Sequence, residues 1–467
     1  MRLRNTLLLT VVFGLLGAYL YFYELKNEGE ERTERLLNFK QDEVESITLS
    51  YPQQEIRLQR EPSGKWKITQ PLQVAADEST ISDILSTLNT TEIKRTVEEK
   101  PSPQDLKAFE LDKPQVKVLI TLEKGKALPP ILVGGKTPVG NSAYVKRGDK
   151  PDVLLTSASL LSSLKKKLYD FRDKKIIRFQ DDSVEQLALK GTKGDFVLIK
   201  KAQDWFIDKP KSYRADRAEI QGMLSTIRNM SARDFTEESP SDLKKYGLDQ
   251  PRLQVTVFMG DKEGPREILF GNKREGKDEV YLVLDSKEIV YTVYESVFRE
   301  LDKDLVALRD KEILPFPRDK VAKLKIHTPK QSWVLVKGEK EEWQVEAPEK
   351  RKTKQRVVAD YLRTLGYLRA KGFAEDEPKD IKQYGFDLPS LKISLEAKDG
   401  KNLGTLLLAS KAGEVYYAKR EGNPTVYIIE EFSYNQINKQ LTDFLKEEKK
   451  ESLHPSETEK TGKSPLS

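Results

Sequence analysis

The chain has 467 residues, 33% of them charged, and 81 Lys and Arg nearly balance 75 Asp and Glu, leaving a net charge of +6. The signs are interleaved, which excludes the concentrated basic stripe of a nucleic-acid binder. With no cysteine and only two histidines, His327 and His454, disulfides, a cysteine-linked lipid, His/Cys metal sites and almost every Ser-His-Asp or Cys-His arrangement are excluded.

Thr6 to Tyr23 is an uninterrupted apolar run, preceded by Arg2 and Arg4 and followed by Glu24 and Lys26. Eighteen residues rising about 1.5 Å each span about 27 Å, close to a hydrocarbon core of about 30 Å. Tyr19, Tyr21, Phe22 and Tyr23 fall where an aromatic belt lies. The leading arginines place the N-terminus in the cytoplasm and the body outside it. A cleaved signal peptide is the competing reading, but its small-residue candidates, Gly14, Gly17 and Ala18, are followed by bulky aromatics. The expectation is a single-pass anchor over 1–24 in the cytoplasmic (inner) membrane, touching the bilayer through residues 6–23. A charged stalk over 25–37 follows.

From there the chain repeats itself three times. Trp66 to Pro71 (WKITQP), Trp205 to Pro210 (WFIDKP) and Trp343 to Pro348 (WQVEAP) set a period near 138 residues. That is the length of a domain rather than of a solenoid unit. Each copy is expected to open with a strand after Phe39, Phe179 or Phe316, continuing through Ile47 and Leu49 and their counterparts. A second strand and the tryptophan strand follow. Then comes a helix with Ile81, Ile84, Leu85 and Leu88 on one face. Ile220, Met223, Leu224 and Ile227 match it in copy two; Val357, Val358, Tyr361, Leu362 and Leu365 match it in copy three.

A polar stretch leads to a second signature, FELDKP, YGLDQP and YGFDLP, ending at Pro114, Pro251 and Pro389. Asp two residues before Pro is turn chemistry. Four strands and a closing helix complete each copy. The junctions repeat as well, FRDKK from Phe171 and LRDKE from Leu308. The order β-β-β-α-β-β-β-β-α defines an α+β domain of mostly antiparallel sheet with two helices. The expected domains are 38–175, 176–313 and 314–446, with a disordered tail over 447–467 whose Lys, Glu, Ser, Thr and Pro have little to bury.

The loop before the first helix differs between copies. It is acidic in copy one (Asp77, Glu78) and mixed in copy two (Lys211, Arg214, Asp216, Arg217, Glu219). In copy three it is basic, with Lys350, Arg351, Lys352, Lys354 and Arg356. Cations near a helix N-terminus oppose its dipole. These five are the candidate contact for an anionic partner; the plainer reading is a solvated loop. Carboxylate chemistry has candidates in Asp42, Asp182, Asp319, Asp112, Asp249 and Asp387, but residues recurring in every copy read as turn and cap residues. Trp66, Trp205 and Trp343, with Pro114, Pro251 and Pro389, read as structural markers. An aromatic platform for sugars would need the rings to face outward.

The combined pattern, Phe-xx-Asp-x-Val-xx-Ile-x-Leu, Gly-x-Trp-x-Ile-xx-Pro and Tyr-Gly-Leu-Asp-x-Pro, resembles the domain of unknown function 4340 family. The resemblance covers residues 38 to 446. Phe109-Glu110 replaces Tyr-Gly in copy one, and Glu341-Glu342 precedes Trp343 in copy three. The resemblance implies a bacterial envelope protein with an N-terminal membrane segment, auxiliary to ABC transporters of the gliding-motility type, with no catalytic residue or cofactor. The resulting expectation is a non-enzymatic extracytoplasmic scaffold or binding protein serving a membrane complex. The alternatives are a cell-wall glycan-binding protein and a carboxylate-dependent glycan hydrolase.

Overall fold

A computed structural model describes residues 34–260, 264–411 and 415–446. The apolar run over 6–23 and the tail over 447–467 lie outside these residues. Among the described residues no helix is long and apolar enough to cross a membrane. The chain divides into two compact units. One holds the residues up to Arg178 with Asn229–Leu243 and Lys273–Glu295; the other holds Phe179–Arg228, Lys244–Asn272 and the chain from Ser296 on.

The architecture is α+β: three antiparallel sheets, each accompanied by a few helices. Repeat one opens with a meander of β1 (Val44–Ser50), β2 (Glu55–Arg60), β3 (Trp66–Gln70) and β4 (Val74–Ala75). The helix Glu78–Thr90 follows, with Ile81, Ile84, Leu85 and Leu88 buried. The chain then lays down β5 (Arg95–Glu98) and returns with β6 (Val116–Leu122), β7 (Lys126–Ala127), β8 (Ile131–Lys136), β9 (Ser142–Arg147) and β10 (Val153–Ser157). The sheet order is β4-β3-β2-β1-β6-β8-β9-β10-β5, with β7 on β6. Strand β6 therefore pairs with β1, and β5 waits at the far edge for β10. Val44, Ile47 and Leu49 of β1, whose register shifts between Val44 and Ser46, face the core, as do the alternate residues Val116, Val118, Ile120 and Leu122 of β6.

Repeat three has the same order from Arg351–Lys352 at one edge, through Trp343–Ala347 and Val321–His327, to Gly372–Glu375 at the other. Repeat two follows the same chain sequence. Its strands Gln186–Gly191, Gly194–Lys201, Asp204–Lys209 and Tyr213–Arg214 lie in the second unit, while Asp234–Glu238, Glu279–Leu284 and Ile289–Tyr294 lie in the first.

Four features depart from the sequence reading. Phe39 precedes a 3-10 turn, Gln41–Glu43, and the strand starts only at Val44. Two short helices close repeat one, Ser159–Leu164 and Leu168–Phe171, where one was expected. The polar stretch after the main helix contains an edge strand in every repeat: Arg95–Glu98, Asp234–Glu238 and Gly372–Glu375. Residues 34–37, placed in the stalk because of the charge around them, belong to repeat one. Ile93 N–H donates to the Glu34 carbonyl, Leu36 N–H donates to the Thr91 carbonyl (both 2.8 Å), and Leu36 and Leu37 are core residues.

The two sequence signatures have local roles. In each tryptophan strand one residue bulges, Thr69, Asp208 or Glu346, just before a proline whose peptide bond is cis. The Asp-x-Pro turn presses its backbone on a strand. A Cβ on Gly134 would lie 2.1 Å from the Phe109 carbonyl oxygen, and one on Gly271 would lie 2.2 Å from that of Tyr246. Repeat three carries the buried Ala409 at this position. Gly134→Ala and Gly271→Ala are each expected to destabilise by about 1–3 kcal/mol, as overpacking does. Ala409→Gly should cost only about 0.5–1 kcal/mol. Thermal unfolding of the three variants checks this; equal midpoints for all three would show that the close approach does not matter.

Candidate functional site

The ends of the repeats bring the most chemistry together. In each repeat the last helix leads back to the loop that follows the tryptophan strand, and two backbone hydrogen bonds staple them. Asp77, Asp216 and Lys354 N–H donate to the carbonyls of Phe171, Leu308 and Phe444, each at 2.8 Å. In return Asp173, Asp310 and Lys446 N–H donate to Ala75, Arg214 and Lys352.

Just beyond the staple, repeats one and two each bury an arginine. Arg172 is 5% exposed and Arg309 8%. Arg172 pairs with Glu238 and lies 3.5 Å from the centroid of the Phe235 ring. Arg309 pairs with both oxygens of Asp376, at 2.6 and 3.3 Å. Its guanidinium sits between the Tyr213 ring at 3.9 Å and the Phe373 ring at 3.6 Å. Both arginines reach the edge strand of the following repeat or the residue just after it, and the ring and carboxylate are three residues apart in each case. The guanidinium face stacks on the ring while its edge meets the carboxylate, the geometry that suits arginine and not lysine.

The linker adds backbone pairing at both junctions. Ala232 N–H donates to the Lys174 carbonyl and Ala370 N–H to the Lys311 carbonyl, both at 2.8 Å. Around the second junction Tyr213 Oη donates to Asp376 at 2.9 Å, Lys211 pairs with Glu377 at 3.2 Å, and Arg369 pairs with Asp216. Burial by itself would raise the Asp376 pKa, but the hydrogen bonds from Arg309 and Tyr213 outweigh it and hold the carboxyl below its ordinary value.

The loop residues Lys350, Arg351, Lys352, Lys354 and Arg356 lie at the corresponding end of repeat three. Lys350, Lys352 and Arg356 are exposed; Arg351 and Lys354 are half-buried. Lys354 occupies an N-cap position. In repeat one the cap is Asp77, which accepts from Thr80 N–H at 2.8 Å. In repeat two it is Asp216, which accepts from Ala218 and Glu219 N–H. The helix Gln355–Gly366 has no side-chain cap. The sequence showed the charge change; that it also removes a cap became visible only with the helix start.

Trp66, Trp205 and Trp343 are 6%, 4% and 7% exposed, so none presents an outward ring. Pro114, Pro251 and Pro389 close the turns before strands. Asp42, Asp182 and Asp319 each lie in the 3-10 turn before a first strand. Among the described residues, Glu55, Asp77, Asp105, Asp149, Glu341 and Asp376 have their carboxyls displaced downward. A glycosidase acid needs the opposite displacement. A groove of about 670 Å³ runs beside Trp66, past Lys67, Asp77, Asp173 and Arg178. In it Lys67 pairs with Glu61 and Arg178 with Asp173, and Asp77 pairs with Lys174.

The family described as Domain of unknown function (DUF4340) matches residues 66–204, 205–380 and 358–453. The chain belongs to this family, present as tandem copies. The first two matches begin at the marker tryptophans rather than at the sheet edges. No curated protein matches the chain. Among solved structures, a Pseudomonas aeruginosa DNA polymerase sliding clamp crystallised with a ligand is 8% identical, covering 84% of this chain and 93% of that one, with a TM-score of 0.14. The DNA polymerase III subunit beta of Pseudomonas aeruginosa is 9% identical over 85% and 93%, also with a TM-score of 0.14. Likeness at that level carries no argument.

Removing the guanidinium is expected to loosen a junction without unfolding a repeat. Arg309→Met should cost about 2–3 kcal/mol, less than a fully buried pair because Asp376 keeps 25% of its side-chain exposure. Hydrogen exchange should speed up at 309–313 and 368–376 and stay unchanged in Val321–His327. Uniform exchange across the repeat would refute a local clasp. The Asp376 pKa is depressed on folding, so its contribution is complete above the unfolded value of about 3.9 and is lost as pH falls through the lower folded value. Asp376→Asn should remove that acid-side loss from the unfolding profile; an unchanged profile would show that Asp376 does not contribute.

Proposed function

We propose that this chain is a non-enzymatic, membrane-anchored scaffold or binding protein outside the cytoplasm, serving a membrane complex such as an ABC-type transport system. The observation that carries the reading is the buried arginine clasp at both junctions. A chain that spends two buried charges on joining copies of one domain is organised around presenting those domains in order. The apolar run Thr6 to Tyr23 behind Arg2 and Arg4 supplies the anchor in this reading. The ABC association comes from the family resemblance alone, and fold likeness does not transfer a site. The contact surfaces in this reading are the edge strands and the charged repeat ends.

Two experiments test it. Protease added to spheroplasts should digest the body of the chain, whose 81 Lys and Arg offer many sites; protection would place the body in the cytoplasm. Crosslinking in intact cells, followed by purification of the full-length chain, should recover membrane-complex subunits. Recovery of wall glycan without protein, or a deletion strain with every membrane complex intact, would overturn the scaffold reading.

A further inference from the structure

Repeat three carries the same backbone staple as its predecessors, but the side chains around it have changed in one direction. Lys350 stands where repeats one and two have Gln73 and Ser212, and Arg351 where they have Val74 and Tyr213. Lys352 replaces Ala75 and Arg214; Lys354 replaces Asp77 and Asp216; Arg356 replaces Ser79 and Ala218. The clasp arginine itself is gone: Leu445, buried, takes the place of Arg172 and Arg309.

At the internal junctions this end of a repeat meets carboxylates of the next one. Glu238 takes Arg172, Asp376 takes Arg309 and Tyr213, and Glu377 takes Lys211. Asp216, an acid contributed from the upstream side of the second junction, holds Arg369 of the receiving repeat. In repeat three that acid is Lys354, so an arginine in the partner would be repelled and only acidic groups fit.

We infer that the end face of repeat three, around Lys350, Lys352, Lys354 and Arg356, docks an acidic protein segment in the position that a following repeat takes in repeats one and two. The inference rests on the scaffold reading and adds the chemistry of the partner. The contact uses the place of the internal junctions and carboxylates like theirs, with the exposed Lys350, Lys352 and Arg356 and the half-buried Lys354 in place of a buried clasp. Such a contact is separable and salt-sensitive, whereas each internal junction holds a buried arginine, Arg172 or Arg309.

The probe is a labelled peptide of residues 372–380, the acidic edge that the end of repeat two holds, titrated into the full-length chain in detergent. The loop variant is K350E/K352E/K354E/R356E. The control K379E/K382E/K398E/K401E makes the same charge change at exposed positions elsewhere in repeat three. Wild type and control should bind alike, and the loop variant at least about tenfold more weakly, the summed effect of four solvent-accessible charge pairs. Unaltered thermal unfolding of the loop variant shows that its fold is kept.

Absence of wild-type binding, or equal loss in both variants, overturns the inference. So does loop-dependent binding of phosphatidylcholine–phosphatidylglycerol vesicles without peptide binding, which would make the partner a lipid surface. A tenfold rise in peptide affinity on removing residues 447–467 would make the chain's own tail the occupant and overturn it too. Peptide binding with no membrane complex recovered from cells would sink the scaffold reading alone. Recovery of the complex without peptide binding would sink only the docking site.

Discussion

Burying an arginine is the constraint from which the junctions follow. A guanidinium withdrawn from water costs several kcal/mol unless a carboxylate and well-placed acceptors answer it. Arg172 and Arg309 are both withdrawn, and in each case the answer comes from the next repeat. The edge strand of that repeat must then stand where its ring covers the guanidinium face and its carboxylate meets the edge. Both conditions hold with the same spacing at both junctions. The linker pairs its backbone with the post-helix segment beside that strand.

The same end of a domain has three chemical versions in one chain. Repeat one caps its helix with Asp77 and faces Lys174 across 3.9 Å. Repeat two keeps the aspartate as Asp216, with Lys311 at the same distance, and adds the aromatic Tyr213 to its clasp. Repeat three discards the cap, the ring and the arginine together. A helix cap is worth about 1 kcal/mol, so giving up one at a single copy marks the place where the three domains were free to diverge. The cores were not: the buried faces of the main helices carry equivalent aliphatic and aromatic positions throughout.

Three ion pairs lie along the groove beside Trp66, and the six displaced carboxyls named above are stabilised as anions. Caps, staples and clasps are devices for holding domains and joining them.

The sequence by itself determined the repeat, its period, the main helix and most strands, because tryptophans, turn prolines and apolar spacing are local signals that three copies reinforce. It also showed the FRDKK and LRDKE junctions and the charge drift of the loop. The edge strands Asp234–Glu238 and Gly372–Glu375 were missed. They are short and half-buried, with few apolar residues, and their strand character comes from a partner far along the chain. Only the tertiary structure decided that Arg172 and Arg309 are buried, that Phe235 and Phe373 cover them, and that residues 34–37 belong to the first core. Burial of a charge depends on what folds over it from another domain, and no local pattern of residues carries that information.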